Sequence, residues 1–301
     1  MDYVIPLLWV LGMGIAYRMF IRWAHRRQMN QVIYEDAPQR HHQKSVTPTM
    51  GGVVILGSFV VGMIGVNAWT PVTVWVVMTT LLFGGIGLID DGLSLRRKSN
   101  KGMSAKQKLG MQVGVAVVAM IAWHYAIAPL IGWQWLLYGF LLVGASNATN
   151  LTDGLDGLLG SVMLITMGGL WWVCQAQGLP VEGRMVVVMM VSLAVFLVFN
   201  WHPARLFMGD TGSLLLGGFF AATAVATGQW PIMIGLGAIY IVETLSVMIQ
   251  VIGFRYTRKR VFLMSPLHHH FELMGLSERV IVLLFAAFHG VCTWIQLSRY
   301  L

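Results

Sequence analysis

Five aspartates stand at the ends of long apolar runs in this 301-residue chain, where a carboxylate needs a cation or a ligand to offset its desolvation. The first pair closes Ile89-Asp90-Asp91-Gly92. Two adjacent carboxylates repel one another, so either one is protonated or a divalent cation sits beside them, and magnesium is the natural ion. Capping of a helix N-terminus by one Asp is the plain alternative, set against it that the pair follows an apolar run instead of preceding one. The second pair lies in Asn147-Ala148-Thr149-Asn150-Leu151-Thr152-Asp153-Gly154-Leu155-Asp156-Gly157. If helical, Asp153 and Asp156 share a face, and Gly154 and Gly157 let a ligand approach the backbone, as a sugar or nucleotide loop requires. An EF-hand would need more oxygen ligands and a terminal Glu. The fifth aspartate is in Phe207-Met208-Gly209-Asp210-Thr211-Gly212-Ser213, which runs into another apolar stretch. Thr211 and Ser213 suit capping of that helix start, where a phosphate is also welcome, and Asp210 adds a third acid around a shared cation.

A fourth segment, Ser265-Pro266-Leu267-His268-His269-His270-Phe271-Glu272, carries three consecutive histidines. Consecutive helical residues do not converge on one zinc ion, and a purification tag would lie at a terminus. Beside Arg258, Lys259 and Arg260 the histidines suit binding of a diphosphate. Two basic stretches, Arg96 to Gly102 with Lys106 and Lys108, and His41 to Thr49, suit anionic headgroups. Lys44, next to Thr47-Pro48-Thr49 and Gly51-Gly52, is singled out as a ligand contact. Glu243, the one acid inside an apolar run, either borders a lipid groove or pairs within the bundle.

The elements that carry these residues follow from composition. With 57% hydrophobic and 11% charged residues, against about 25% charged in soluble domains, a water-soluble enzyme is excluded. Continuous apolar stretches at about 3–21, 49–68, 71–89, 109–127, 129–146, 155–176, 184–200, 213–228, 231–252 and 279–297 predict an all-α polytopic membrane protein of about ten helices, one unit over 1–301. They do not alternate, so barrel strands are ruled out. The first run reads as a retained helix instead of a signal peptide. The net charge of +8 sits in short connecting segments, which argues for membrane orientation and against nucleic acid. Of the 20 Lys and Arg, all but Arg184 and Arg299 fall on one side, so the long loops and their five aspartates are expected to face the cytoplasm. Cys174 and Cys292 read as packing residues. A transporter would place its polar groups at mid-membrane, often with inverted repeats, and a scaffold would not need five aspartates at helix ends.

Taken together, Thr47-Pro48-Thr49-Met50-Gly51-Gly52, Asp90-Asp91, Asn100-Lys101-Gly102, Asn150 to Gly157, Phe207 to Ser213 and Pro266 to Glu272 closely resemble the phospho-N-acetylmuramoyl-pentapeptide transferase family, in family order from about Gln31 to Glu278. The Pro-Leu-His-His-His-Phe-Glu run separates that branch from other polyprenyl-phosphate hexosamine-1-phosphate transferases. Val46, where the family commonly has Gly, is a departure. The resemblance implies a ten-helix enzyme of the bacterial inner membrane, dimeric, its active site cytoplasmic. It implies transfer of phospho-N-acetylmuramoyl-pentapeptide from its UDP carrier to undecaprenyl phosphate, giving lipid I and UMP for peptidoglycan synthesis and so for cell shape and division. It also implies Asp90, Asp91 and Asp210 as the catalytic acids with Mg2+, with Asp210 and Asp91 as metal ligands. It further implies Asn150, Asp153, Phe207 and Gln250 around the uridine, and Lys44, Asp156, His268, His269 and His270 around the diphosphate and sugar.

Overall fold

The computed structural model describes residues 4–30, 47–99 and 102–300. Its main helices are α1 Val4–Arg26, α2 Gly52–Val66, α3 Pro71–Arg97, α4 Ala105–Ala126, α5 Gly132–Thr152, α6 Leu158–Ala176, α7 Pro180–Asn200, α8 Gly209–Ala226, α9 Ala238–Thr257, the short α10 Leu267–Leu273, and α11 Glu278–Leu297. Helical turns at Trp230–Ile232 and Met233–Leu236 bridge α8 to α9. Among the described residues, helices of 15 residues or more fall on each of the apolar stretches, and seven of them, α1, α3, α4, α6, α7, α9 and α11, are long and apolar enough to cross a membrane. The other three fall short for visible reasons. α2 has 15 residues, α5 ends in the polar run Ser146 to Thr152, and α8 opens on Gly-Asp-Thr-Gly-Ser.

Local chemistry sets the helix ends. Thr70 and Thr73 exchange side-chain and backbone hydrogen bonds ahead of Pro71, a capping box that starts α3. Ser104 and Gln107 do the same for α4. Two boundaries depart from the sequence expectation. α3 does not stop at residue 89 but continues through Asp90 and Asp91 to Arg96 and Arg97, cations that suit a helix C-terminus. α5 stops at Thr152, so Asp153 and Asp156 lie on a turn and do not share a helix face.

α8 is the axis of the molecule. Every residue from Thr211 to Val225 is buried, as expected of a helix apolar on all sides. It packs most extensively on α3, then on α5, with α2 and α6 also touching it. Phe59 meets Phe219 edge to face at 5.4 Å. The periphery is the reverse: Leu7 and Ile15 of α1, Val117 and Ile121 of α4, Leu245 and Ile249 of α9, and Leu284 and Ile295 of α11 point outward, an apolar surface suited to lipid.

Candidate active site

Asp91 holds the start of α8. One of its oxygens accepts the Asp210 N–H at 3.0 Å, and the other accepts the Thr211 N–H at 2.9 Å and the Thr211 hydroxyl at 2.6 Å. A carboxylate on α3 therefore caps the N-terminus of a different helix, where unpaired amides and the positive end of the dipole favour an anion. The capping alternative applies to Asp91 across helices, which order along the chain did not reveal. It replaces the expected caps: Thr211 donates to Asp91, and Ser213 Oγ donates to the Gly209 carbonyl at 3.3 Å. Gly209 has φ +75°, and a Cβ there would run into the Asp91 carboxylate, so only glycine lets α8 begin this close.

Capping turns Asp210 toward Asp90. Asp90 accepts the Met103 N–H and lies 2.7 Å from the Lys108 ammonium, which also contacts Asp210. Asn150 Nδ2 donates to Asp210 at 2.8 Å and to Ser213 Oγ at 3.0 Å. The C-terminal part of α3, the first turns of α4 and α8, and the last turn of α5 thus converge on one cluster of three carboxylates, one lysine and one carboxamide. Lys108 is the functional residue that sequence reasoning missed, having been grouped with headgroup-binding cations. Its position one helical turn after the Ser104 cap, within reach of the α3 acids, was the available signal. Asp153, on the turn after α5, feels the charge of the same cluster. Its carboxyl is pushed up to about 8, chiefly by burial, with the charges of Asp210, Asp91 and Asp156 adding to it. The residues fit a hard divalent cation: the donors are carboxylate oxygens, and an ammonium already stands between two of them, marking a place that holds positive charge.

A backbone clamp presents Phe207 beside this cluster. Phe207 N donates to the Pro48 carbonyl at 2.9 Å, while Gly51 N and Gly52 N donate to the Phe207 and Met208 carbonyls at 2.8 Å each. The Thr-Pro-Thr-Met-Gly-Gly segment is thus zipped to the loop before α8, and the half-buried Phe207 ring is held at the surface of the fold. Asp156 is a buried tie. It accepts Ala204 N at 3.1 Å and the His202 ring at 2.9 Å, and its own N–H donates to Glu278 at 3.3 Å. Ligand atoms of Asp156, His202 and Glu278 lie within 4.8 Å of one another, a second group able to hold a cation. His202 and Glu278 belong to no chemical motif, so the sequence assigns neither a role in the site.

The three histidines diverge, as consecutive residues on a short helix must. His268 Nδ1 bonds Glu243 at 3.0 Å, His269 Nδ1 bonds Glu272 at 3.1 Å, and His270 Nδ1 accepts Leu263 N at 3.2 Å. Glu243 also accepts Leu267 N at 2.6 Å and His268 N at 3.3 Å, so it pairs within the bundle and caps α10. Buried His268 Nε2 has no partner and points at Gly154, where a Cβ would strike the ring. Gln250 braces the loop after α9, accepting Val261 N at 3.0 Å and Phe262 N at 2.9 Å and donating to the Phe262 carbonyl at 3.1 Å. Lys44 lies outside the described residues.

The described residues form a helical bundle of membrane-protein character with an acid cluster where four helix ends meet, and residues 73–228, more than half the chain, match the family model for glycosyl transferase family 4. The chain is 42% identical to a phospho-N-acetylmuramoyl-pentapeptide-transferase of Shouchella clausii, with 92% of each chain covered. It is 41% identical to that of Bacillus subtilis (89% of each covered) and 39% identical to that of Bacillus pumilus (95% of each). It belongs to the phospho-N-acetylmuramoyl-pentapeptide-transferase family.

Proposed function

We propose that this protein transfers phospho-N-acetylmuramoyl-pentapeptide from UDP to undecaprenyl phosphate in the bacterial inner membrane, releasing UMP on the cytoplasmic side. The observation that carries this reading is the meeting of Asp90, Lys108, Asn150 and Asp210 from four helix ends, in a chain about 40% identical over most of its length to transferases of that name. Ten membrane helices, a homodimer and dependence on Mg2+ belong to the same proposal.

An oxygen of the lipid phosphate attacks the β-phosphorus of the UDP-sugar. The bond from that phosphorus to the bridging oxygen breaks, and UMP leaves with the electron pair. A phosphomonoester has its second pKa near 6, so the nucleophile is largely dianionic at neutral pH and needs little help from a base. Asp90, which accepts the Met103 N–H and lies against the Lys108 ammonium, holds that cation beside the reacting phosphates. Lys108 offsets repulsion between the two anions. Asp210, Asp91 and Asp90 would hold Mg2+, which when bound neutralises diphosphate charge. Phe207 offers a face for uracil, with Asn150 and Asp153 as its polar partners in this reading, while His268 Nε2 is an unpaired polar atom directed at Gly154 in the Asp153–Asp156 turn. An apolar cavity of about 290 Å3 between α9, α10 and α11, lined by Ile239, Val242, Leu267, Phe271 and Phe285, suits the lipid tail.

The test is UMP release in detergent. Release that requires both Mg2+ and polyprenyl phosphate supports the transferase. Uptake of the nucleotide sugar into liposomes without product would mean a carrier, and an acid-labile phosphoenzyme trapped on quench would replace direct attack by a covalent step.

A further inference from the structure

At the far end of α9 lies a cavity of about 770 Å3 lined by Arg255, Arg258, Arg260, Gln250, Phe254 and Ser265 among others, with no acid in its wall. Its size falls in the range of small-molecule and peptide-end sites. Positive-inside orientation accounts for arginines near a helix end but not for a braced pocket around them. The Gln250 carboxamide clamps the backbone at Val261 and Phe262, Arg260 Nη1 donates to the Leu263 carbonyl at 3.2 Å, and Leu263 N donates to His270 at 3.2 Å. The return loop is thereby folded back on α9 and tied to the triple-histidine helix. Among the described residues neither Arg255 nor Arg258 has an acidic partner, so two guanidiniums with bidentate capacity face a partly apolar hollow.

We propose that this pocket binds the carboxylate-bearing end of the sugar's peptide stem, with Arg255 and Arg258 as the anion-recognising pair. The inference rests on the proposed transferase reaction and adds a subsite to it. Muramic acid carries a carboxyl group, so the peptide hangs from it by its amine and its free end is a carboxylate. Leu263 in the pocket wall donates its N–H to His270, which ties the pocket to the triple-histidine helix expected near the sugar, and the apolar wall at Phe254 accommodates the stem's side chains.

The experiment compares UDP-N-acetylmuramoyl-pentapeptide with the same compound bearing a C-terminal carboxamide, on the full-length enzyme and on R255Q/R258Q. The expected result is that amidation raises KM about tenfold for the native protein with kcat held. R255Q/R258Q should show the raised KM with either compound and no further penalty for the amide. Equal KM for acid and amide on the native enzyme overturns the proposal. So does a variant that responds to the anionic phospholipid content of vesicles and not to peptide charge, which would make the pocket a headgroup site. Absence of UMP release with every compound would instead sink the transferase reading.

Discussion

Asp91 and Asp210 look equivalent in the sequence, yet replacing each by Asn should act on different properties. Asp91 accepts three hydrogen bonds from Asp210 N, Thr211 N and Thr211 Oγ1, all at the buried start of the central helix. Asn offers one acceptor oxygen and turns an N–H2 group toward the remaining donors. A hydrogen bond to a charged acceptor contributes about 1.5–3 kcal/mol, a buried donor left unpaired costs about 1–3 kcal/mol, and loss of the charge at a helix N-terminus costs up to about 2 kcal/mol. These overlap, so Asp91→Asn should destabilise the fold by about 2–4 kcal/mol. Asp210→Asn loses its pairing with Lys108 but also relieves one of three crowded negative charges and keeps an acceptor for Asn150, so its stability should stay within about 1 kcal/mol of the native protein. Both should lose turnover by several powers of ten. Thermal unfolding in detergent beside UMP release separates the two effects: Asp91→Asn should melt several degrees lower and Asp210→Asn close to the native value. Equal melting temperatures for native protein and Asp91→Asn would refute the capping argument.

Lys108→Met keeps the stem but removes the charge between Asp90 and Asp210, and UMP release should fall at least about 100-fold, with Lys108→Arg restoring only part because a planar guanidinium does not replace a compact ammonium. Glu243→Gln should cut kcat about 10- to 100-fold by loosening His268, and in a His268→Gln background the same change should cost little; equal losses in both backgrounds would show that Glu243 does not act through His268. Burial, with the charges of Asp210, Asp91 and Asp156, pushes the Asp153 carboxyl up to about 8, so the folded state favours its protonated form. The stability this confers is full below the ordinary range and is lost as pH rises through about 8. In EDTA, the native melting temperature should therefore fall between pH 5 and 9, and Asp153→Asn should flatten that slope.

Much of this was legible because hydrophobic runs of about 20 residues in a membrane protein have few structural outcomes. Among the described residues the longer helices lie on the predicted apolar stretches, seven of them long and apolar enough to cross a membrane, and the aspartates of two separate motifs meet with Asn150 of a third. What escaped were relations between elements. The partner of Asp91 is a helix start 119 residues further along the chain, so a rule about what precedes a helix in sequence did not apply. Lys108 looked like any basic residue of a loop until α4 was seen to begin at Ala105 and carry it inward. Gln250, placed around the uridine by family resemblance, also braces the backbone of its own loop, a role no motif announces. His202 and Glu278, which tie Asp156, belong to no periodic or motif pattern, and only packing brings them together.

The most direct test of the acid cup is anomalous diffraction from crystals grown with Mn2+ and a uridine diphosphate sugar. The account predicts one strong peak bounded by Asp210, Asp91 and Asp90, within reach of the diphosphate, with Lys108 displaced from between the acids. A peak at Asp156, His202 and Glu278 alone, or none at the three aspartates while the nucleotide is bound, would contradict it.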